Sequence, residues 1–376
     1  MQLTSDALLG ALAVTAVLGL AVTVWLLPRF SGRSVQAVIA RLTLLLACQL
    51  AILLALLSAV NSYFSFYVTW SDLLGTQKGT GKIREGQSPA GSAAGRPLAR
   101  TVSRLNADVD LRVPAKDGQL EEVKIQGPRT GLEVKAFAYL PPEYFRPEFA
   151  KRRFPVVVFL TGYPGDAKGL IVRQNLVRTA AEEMKAGRVQ PTIYIITRST
   201  VVPPRDTECT DIPSGPQVKT FFSQDVPESL KVTYRLSDKK EGWAVAGQST
   251  GGYCAAKLAL LHSDRFGAAA TQAGYFTAIK DSSTRDLYGG SQAVRNDNDL
   301  IWRLQHLPPP PVSILVASSR VGEINFPQAE RFSSLARPPL RVDRLTLDEG
   351  GHNFTTFRRM MPETMRWLSA RQRADG

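Results

Sequence analysis

The sequence predicts an α/β domain, an eight-stranded and mostly parallel sheet with helices on both faces, preceded by two transmembrane helices. Three observations carry this prediction. Two long apolar segments lie near the N-terminus, and short apolar runs then alternate with segments of helical period. One of these runs leads directly into a Gly-x-Ser-x-Gly motif followed by a small-residue helix. Such alternation is typical of a parallel sheet whose strands are buried on both faces.

The two apolar segments are each long enough to cross a bilayer. Residues 7–27 and 42–60 carry no charge, and a transmembrane helix needs about 20 apolar residues. The first segment lacks the basic start of a cleaved signal peptide, and the second is apolar all round instead of on one stripe. We therefore predict a membrane anchor over residues 1–74, with spans at about 7–27 and 42–60.

Charge around the spans predicts their orientation. The loop between them carries Arg29, Arg33 and Arg41 without an acidic residue, and basic loops favour the cytoplasmic side. The following domain is then extracytoplasmic, and the lipid bilayer is a predicted partner. Aromatic residues of the kind found at membrane interfaces follow the second span. They are Tyr63, Phe64, Phe66, Tyr67 and Trp70.

Residues 75–106 are rich in Gly, Ser, Ala and basic residues, which predicts a flexible linker before a domain over residues 107–376. The net charge of +13 is scattered and forms no basic helix, so we expect no nucleic-acid partner. The three cysteines have no metal-binding spacing, and no cofactor motif is present. Cys209 and Cys254 are either a disulfide or two buried thiols, and the sequence leaves both open.

Strands and helices alternate along the domain. Two β-like runs joined at residues 128–130 predict an antiparallel hairpin. Six short apolar runs then predict buried strands, and longer segments between them predict helices. The hairpin strands are 119–127 and 131–144, the other strands 154–162, 192–199, 242–248, 267–274, 312–318 and 341–347, and the helices 170–186, 227–236, 252–262 and 362–371.

The motif at residues 247–251 indicates a nucleophile. It stands between a predicted strand and a predicted helix, the context in which a sharp turn presents a serine at the end of a sheet. Ser249 is the candidate nucleophile, and the plainer interpretation is a glycine turn with an idle serine. A serine needs a base to take its proton. His352 follows the last predicted strand at the same sheet edge, whereas His262 and His306 fall elsewhere.

A carboxylate should orient this histidine, and the chain order Ser, acid, His is that of α/β-hydrolases. Glu323 follows the strand at 312–318 and is favoured over Asp348 and Asp343. A surface glutamate in a salt bridge is the alternative. The predicted oxyanion hole consists of the backbone N–H groups of Thr250, next to the nucleophile, and of Tyr163.

One further carboxylate should border the pocket. Asp206 follows the strand at 192–199, and it either binds a polar substrate group or caps a turn.

From Asp110 to Gln372 the chain resembles the putative esterase family that includes the antigen 85 type mycolyltransferases of actinobacteria. The motifs AYLPPEY, FPVVVFLTGYPG, GQSTGGYCAAKLAL and GGHNFTTF carry the resemblance. It implies an α/β-hydrolase fold, a serine triad, and ester hydrolysis or acyl transfer, with Ser249, His352, Tyr163 and Thr250 in their roles and Glu323 matching less closely. Phe354 stands where antigen 85 proteins have Trp, and we expect it to contact substrate.

Those secreted enzymes lack the two N-terminal spans, so the chain looks more like membrane-tethered actinobacterial relatives. We predict a membrane-anchored serine esterase or acyltransferase that forms an acyl-enzyme from a carboxylic ester, a cell-envelope lipid or glycolipid. A sugar or glycolipid acceptor is a predicted partner, and no obligate protein partner is evident. The alternative is a catalytically silent protein of the same fold that binds envelope glycan or lipid.

Overall fold

A computed structural model describes residues 5–64 and 98–375. The chain divides into two compact units, Met1–Gly79 and Thr80–Gly376. Two sequence predictions lie outside the described residues: most of the linker (75–97), and the interfacial aromatic residues beyond position 64.

The first unit contains two long helices, α1 (Asp6–Leu26) and α2 (Val35–Phe64), joined through a 3-10 turn at Leu27–Phe30. Ser5 caps α1 by accepting a hydrogen bond from the Leu8 N–H. Most apolar side chains of both helices are exposed, and the segments Ala7–Phe30 and Val35–Ser62 are long and apolar enough to cross a membrane. The second helix begins earlier than the span predicted from residue 42.

The second unit is built on one nine-stranded sheet, one strand more than predicted. The extra strand lies at Arg100–Val102, inside the segment predicted as linker, and it pairs with the first hairpin strand. In chain order the strands are β1 (Arg100–Val102), β2 (Gln119–Gln126), β3 (Glu133–Leu140), β4 (Val156–Leu160), β5 (Ile193–Thr197), β6 (Trp243–Gln248), β7 (Ala268–Gln272), β8 (Ser313–Val321) and β9 (Arg341–Glu349).

The spatial order is β1-β2-β3-β5-β4-β6-β7-β8-β9. The pairs β1–β2, β2–β3 and β3–β5 are antiparallel, so the predicted hairpin is confirmed. The other five pairs are parallel. The carboxyl ends of six strands therefore meet at one edge, the place where ligands bind in sheets of this kind.

Helices cover both faces of this sheet. They are α3 (Pro114–Asp117), α4 (Ala167–Val172), α5 (Leu176–Lys185), α6 (Val226–Thr233), α7 (Thr250–Leu261), α8 (Gln292–Asn298), α9 (Leu300–His306), α10 (Phe326–Ser334) and α11 (Phe354–Ser369), with a turn of π-helix at Phe221–Asp225 before α6.

Alternate side chains of β4 show how the two layers form. Val156, Val158 and Leu160 belong to one apolar cluster, with α6, α7, α9 and α10. Val157 and Phe159 point the other way, into a second cluster with α4, α5 and α11. Because every residue of β4 is buried, the strand reads as a continuous apolar run in the sequence. The predicted fold class, an α/β-hydrolase fold after two apolar helices, is confirmed.

A disulfide joins Cys209 to Cys254, with Cα atoms 5.6 Å apart. The sequence left this pairing open. The bond ties the loop after β5 to the middle of α7, and both residues are fully buried.

Candidate active site

Ser249 occupies the turn between β6 and α7 in an unusual backbone conformation, with φ 53° and ψ −124°. A positive φ in a residue with a side chain costs on the order of 1–3 kcal/mol and persists only where the surroundings enforce it. The Ser249 N–H donates to the Gln272 carbonyl at 2.9 Å, and the Tyr253 N–H donates to the Ser249 carbonyl at 3.0 Å. These bonds hold the turn between β7 and the first turn of α7.

The glycines of the motif are needed because β4 passes so close. A Cβ on Gly247 would come within 2.7 Å of the Leu160 carbonyl oxygen, and one on Gly251 would collide with the same carbonyl. A Cβ on Gly162, in the loop after β4, would lie 2.9 Å from the Ser249 Cβ and 3.5 Å from its hydroxyl oxygen. The sequence predicted that this loop supplies an oxyanion donor next to the serine, and in the structure the loop and Ser249 are in contact.

The two predicted oxyanion donors directly follow the two residues of this contact, Ser249 and Gly162. Thr250 begins α7, where backbone N–H groups are free to bind an anion, and it is buried. Tyr163 directly follows Gly162, and its hydroxyl donates to the Pro204 carbonyl at 2.9 Å. That bond fixes the loop after β4 to the loop after β5.

His352 and Glu323 form a hydrogen-bonded pair. His352 Nδ1 lies 2.8 Å from Glu323 Oε2, and the other carboxylate oxygen accepts from the Asn325 N–H at 3.1 Å. The Glu323 side chain is 1% exposed, so it is not a surface salt bridge, while the His352 side chain is 36% exposed. A proton on Nδ1 leaves the lone pair of Nε2 available to accept another.

The other acidic candidates are placed differently. Asp343 accepts from Trp367 Nε1 at 2.9 Å and pairs with Arg371. Burial raises the pKa of Asp343, but these contacts together outweigh it and leave the pKa below its usual value. Asp348 is exposed near the end of β9. Of the three carboxylates, Glu323 is the one whose hydrogen bond reaches His352.

The remaining histidines are away from this edge. His262 follows the C-terminus of α7, where burial lowers its pKa. His306 ends α9, stacks on Trp302, and has Nδ1 2.8 Å from the Trp302 carbonyl.

Asp206 and Phe354 are the two predicted substrate contacts. Asp206 is buried, and its carboxylate accepts from the Glu208 N–H at 3.1 Å, which is the turn-capping contact that the sequence left open. The same carboxylate accepts from the Thr250 hydroxyl at 3.3 Å. Phe354 begins α11, and the guanidinium carbon of Arg173 lies 5.2 Å from its ring centre. Contacts of either residue with substrate stay predictions.

Sequence reasoning missed a buried polar group beside Thr250. Glu208, Lys257 and Tyr275 are all buried there. Lys257 was the available signal, because it is a charge inside the otherwise apolar segment YCAAKLALL. In residues 5–64 and 98–375, no group of three or more His, Cys, Asp or Glu side chains is arranged to hold a metal ion.

Two comparisons of sequence find relatives of this chain. A family model described as Putative esterase matches residues 127–308, inside the second unit. An uncharacterized protein of Corynebacterium glutamicum is 23% identical over 293 residues, which cover 73% of this chain and 68% of that protein.

Solved structures share the fold. An S-formylglutathione hydrolase from Agrobacterium tumefaciens superposes with a TM-score of 0.57 at 14% identity, over 68% of this chain and 96% of its own. Fluorophosphonate-binding serine hydrolase F of Staphylococcus aureus gives 0.53 at 16% identity, over 67% and 98%. The enterobactin esterase of Shigella flexneri gives 0.53 at 15% identity, over 66% and 58%. The chain thus resembles the putative esterase family, and its second unit has the α/β-hydrolase fold of esterases.

Proposed function

We propose that the protein is a membrane-anchored serine esterase or acyltransferase that works through an acyl-enzyme on Ser249. One observation carries the proposal: the strained serine turn stands at the same sheet edge as the His352–Glu323 pair. Both features follow the carboxyl ends of parallel strands. Strain and a buried carboxylate facing an exposed imidazole are features of a reactive site.

The chemistry follows from these positions. Ser249 Oγ attacks the ester carbonyl carbon while His352 Nε2 takes its proton, and Glu323 stabilises the imidazolium that forms. The negative oxygen of the tetrahedral intermediate is bound by the N–H groups of Thr250 and Tyr163. Collapse breaks the bond to the leaving alcohol, which receives the proton from His352, and leaves an acyl ester on Ser249.

The acyl group then leaves by the same steps in reverse. His352 takes a proton from water or from an acceptor hydroxyl, and the resulting nucleophile attacks the acyl-enzyme. Water gives hydrolysis, whereas a sugar or glycolipid hydroxyl gives acyl transfer. Both outcomes use one intermediate, so the acceptor alone decides between them.

The substrate is proposed to be a carboxylic ester of the cell envelope, a lipid or glycolipid. The two apolar N-terminal helices support this, because an anchored enzyme meets lipid esters at the membrane surface. The basic loop at Arg29, Arg33 and Arg41 supports a cytoplasmic position for the connection between the helices, which leaves the catalytic domain outside.

Labelling with a fluorophosphonate tests the proposal on the full-length chain in detergent. We expect the wild type to be labelled and Ser249→Ala to lose labelling. Ser291→Ala is the matched control, since Ser291 caps α8 away from the turn and should label like the wild type. Labelling that persists in Ser249→Ala, or none in the wild type, would favour a silent binding protein instead.

A second measurement separates hydrolysis from transfer. p-Nitrophenyl esters of increasing chain length, supplied with and without trehalose or another sugar, report the preferred acyl length and the fate of the acyl group. Acylated sugar among the products identifies a transferase. Free acid alone, at a rate that the sugar does not change, identifies a hydrolase.

A further inference from the structure

A cluster of buried polar side chains lies against Thr250, on the side of α7 that faces the loop after β5. We call this group the elbow cluster, because it lies next to the sharp turn at Ser249. Its members are Asp206, Glu208, Thr250, Lys257 and Tyr275. Glu208 is 1% exposed and Lys257 is 0% exposed. Because buried charges are costly unless they are paired, the protonation states of this cluster are tightly constrained.

Hydrogen bonds connect the carboxylates of this cluster to Thr250. The Thr250 hydroxyl donates to Asp206 Oδ2 at 3.3 Å, and the Tyr275 hydroxyl oxygen lies 3.3 Å from the Thr250 hydroxyl oxygen. The Tyr275 hydroxyl oxygen is also hydrogen-bonded to Glu208 Oε1. Three contacts therefore link the two acids through the two hydroxyls, and Thr250 and Tyr275 supply only two protons for them. A third proton on one of the acids completes the chain, and the first residue of α7 is then held by both acids.

Lys257 supplies one positive charge. Its Nζ donates to the Glu208 carbonyl, to Thr210 Oγ1 at 3.0 Å and to Asn298 Oδ1 at 2.8 Å. An ammonium has three N–H donors and a neutral amine has two, so three acceptors match the charged form. Burial lowers the pKa of Lys257 to about 7, and the negative charge of Glu208 opposes that effect.

One carboxylate oxygen of the elbow cluster has no hydrogen-bond partner among the described residues. Glu208 Oε2 is buried, and as a carboxylate oxygen it accepts no hydrogen bond from the part of the chain that the structure describes. The same glutamate is linked to Asp206 through the two hydroxyl groups of Tyr275 and Thr250. One proton carried by the two acids supplies the hydrogen that this chain of four side chains lacks. It also brings the charge of the elbow cluster from −1 to zero.

We propose that Asp206 and Glu208 share a single proton, and that this pair positions Thr250 so that its backbone N–H faces the oxyanion. The proposal rests on the proposed function for its catalytic consequence, but the shared proton itself does not depend on it. Asp206 and Glu208 are thus positioning residues that act through Thr250.

The electrostatics agree with this arrangement. Burial, and then the negative charge of Asp206, raise the pKa of Glu208 to about 8, and burial also raises the pKa of Asp206. Like charges that share a site cannot both ionise easily. Other ionisable groups act on the cluster from the surrounding elements. They are Asp211, Lys219, Tyr253, Asp281, Tyr288 and Asp299.

Loss of the shared proton has a definite consequence. Above about pH 8 the pair carries two negative charges in a buried site, and these repel each other. The Thr250 and Tyr275 hydroxyls then donate to one acid each, no proton remains for the contact between them, and Thr250 loses its link to Glu208. The rate of attack by Ser249 should then fall as the pH rises, on the order of tenfold, because misplacing an oxyanion donor costs less than the roughly 10²-fold or more of deleting one.

Infrared difference spectroscopy of the full-length chain in detergent tests the shared proton without reference to activity. The difference between wild type and Glu208→Gln at about pH 6 should contain the carbonyl stretch of a protonated carboxylic acid, and this band should vanish above about pH 8. Asp206→Asn should lose the band as well, although it keeps Glu208, because one acid opposite Lys257 can ionise. Absence of the band in the wild type at about pH 6 would overturn the proposal.

The rate of fluorophosphonate labelling across the same pH range tests the catalytic consequence. Wild type should slow above about pH 8. Glu208→Gln should label within about threefold of wild type at neutral pH and lack the alkaline decline, since the Gln amide donates a hydrogen bond at every pH and has no proton to lose. Glu208→Leu can neither donate nor accept a hydrogen bond, and it should label on the order of tenfold more slowly than wild type at every pH.

Glu121→Gln is the matched control. Glu121 is another buried glutamate bonded to a tyrosine, with the Tyr234 hydroxyl 2.9 Å from its Oε2, and it lies on β2 away from the serine. It should keep the wild-type pH profile. A band without any labelling at any pH would refute the proposed function and leave the shared proton standing. Labelling without the band would do the reverse, and an alkaline decline that persists in Glu208→Gln would refute the positioning role.

Discussion

Replacing Glu323 by Gln tests how much of the reaction depends on the buried carboxylate. The change removes one negative charge and keeps the shape of the side chain. Glu323 Oε2 lies 2.8 Å from His352 Nδ1, and this histidine becomes an imidazolium only while the reaction proceeds. The substitution should therefore lower kcat and leave KM nearly unchanged, since substrate binding does not need the imidazolium.

The size of the effect follows from that distance. At an effective dielectric constant of about 20, unit charges 2.8 Å apart attract each other by about 6 kcal/mol. The His352 side chain is 36% exposed, so solvent weakens this attraction. We therefore expect a loss of about 4 kcal/mol, or about 10³-fold in kcat. Removing the negative charge from the acid of a serine triad has an effect of about 10⁴-fold in a protease, which sets the upper limit.

The assay is the pre-steady-state release of p-nitrophenol from p-nitrophenyl acetate, measured on the full-length chain in detergent. Glu330→Gln is the control, because Glu330 is exposed on α10, where it pairs with Arg344 at 3.5 Å. That variant should stay within about twofold of wild type, as expected for a surface pair. Thermal unfolding of Glu323→Gln shows whether the buried site remains folded.

One result would refute this reasoning. If Glu323→Gln keeps more than about a tenth of the wild-type kcat while Asp348→Asn loses activity, the acid is Asp348 and the Glu323 contact only places the histidine. If both variants keep activity, the imidazolium needs no carboxylate, and the triad is the wrong description of this site.

Three further predictions concern other parts of the chain. Gly162→Ala should reduce labelling of Ser249 by on the order of 10²-fold while the fold survives, because the new Cβ would lie 2.9 Å from the Ser249 Cβ; an unchanged rate would mean that the loop after β4 can move away. Arg188 and then Arg366 hold the pKa of Glu183 at about 2, below its ordinary 4.5. The stability they confer is present above pH 4.5 and is lost as the pH falls towards 2, so Glu183→Gln should lower Tm at pH 7 and much less near pH 2. A cysteine placed at Gln87 should react with a membrane-impermeant reagent on intact cells and one at Ser34 should not, and the opposite pattern would reverse the proposed topology.

The sequence was sufficient for the parallel strands and for the serine turn, because both depend on local patterns. Strands buried on two faces are continuous apolar runs, and the motif needs glycine wherever β4 approaches. Strand β1 escaped prediction because it is three residues long and pairs with β2 through its backbone. The last helix was predicted to start at Pro362, a residue common in a first turn. It begins at Phe354, because Asn353 caps it by accepting from the Thr356 N–H.

The parts that the sequence left open depend on distance in space. Pairing of Cys209 with Cys254 requires the loop after β5 to return to α7, which no local pattern encodes. The hydrogen bonds that link Glu208 to Thr250 through Tyr275 depend on the same approach of the loop to α7. Two acids and a lysine spread over 52 residues look like separate surface charges until the fold buries them together.

The strained turn at Ser249 is held on one side by strand β4 and on the other by the elbow cluster. A serine with φ 53° relaxes unless its neighbours prevent it, at a cost on the order of 1–3 kcal/mol. On the sheet side, β4 packs so tightly against Gly247 and Gly251 that the turn cannot shift inward. On the opposite side, Thr250 is tied to Asp206 and, through Lys257 and the disulfide, α7 is tied to the loop after β5.

Hydrogen bonds to charged groups contribute about 1.5–3 kcal/mol each, so the bonds of Lys257 alone are comparable with the strain. Removing a hydrogen-bonding group from the cluster would therefore release the turn even though no residue of the triad had changed. Glu208→Leu should for this reason reduce the reactivity of Ser249 more than its distance from the substrate suggests.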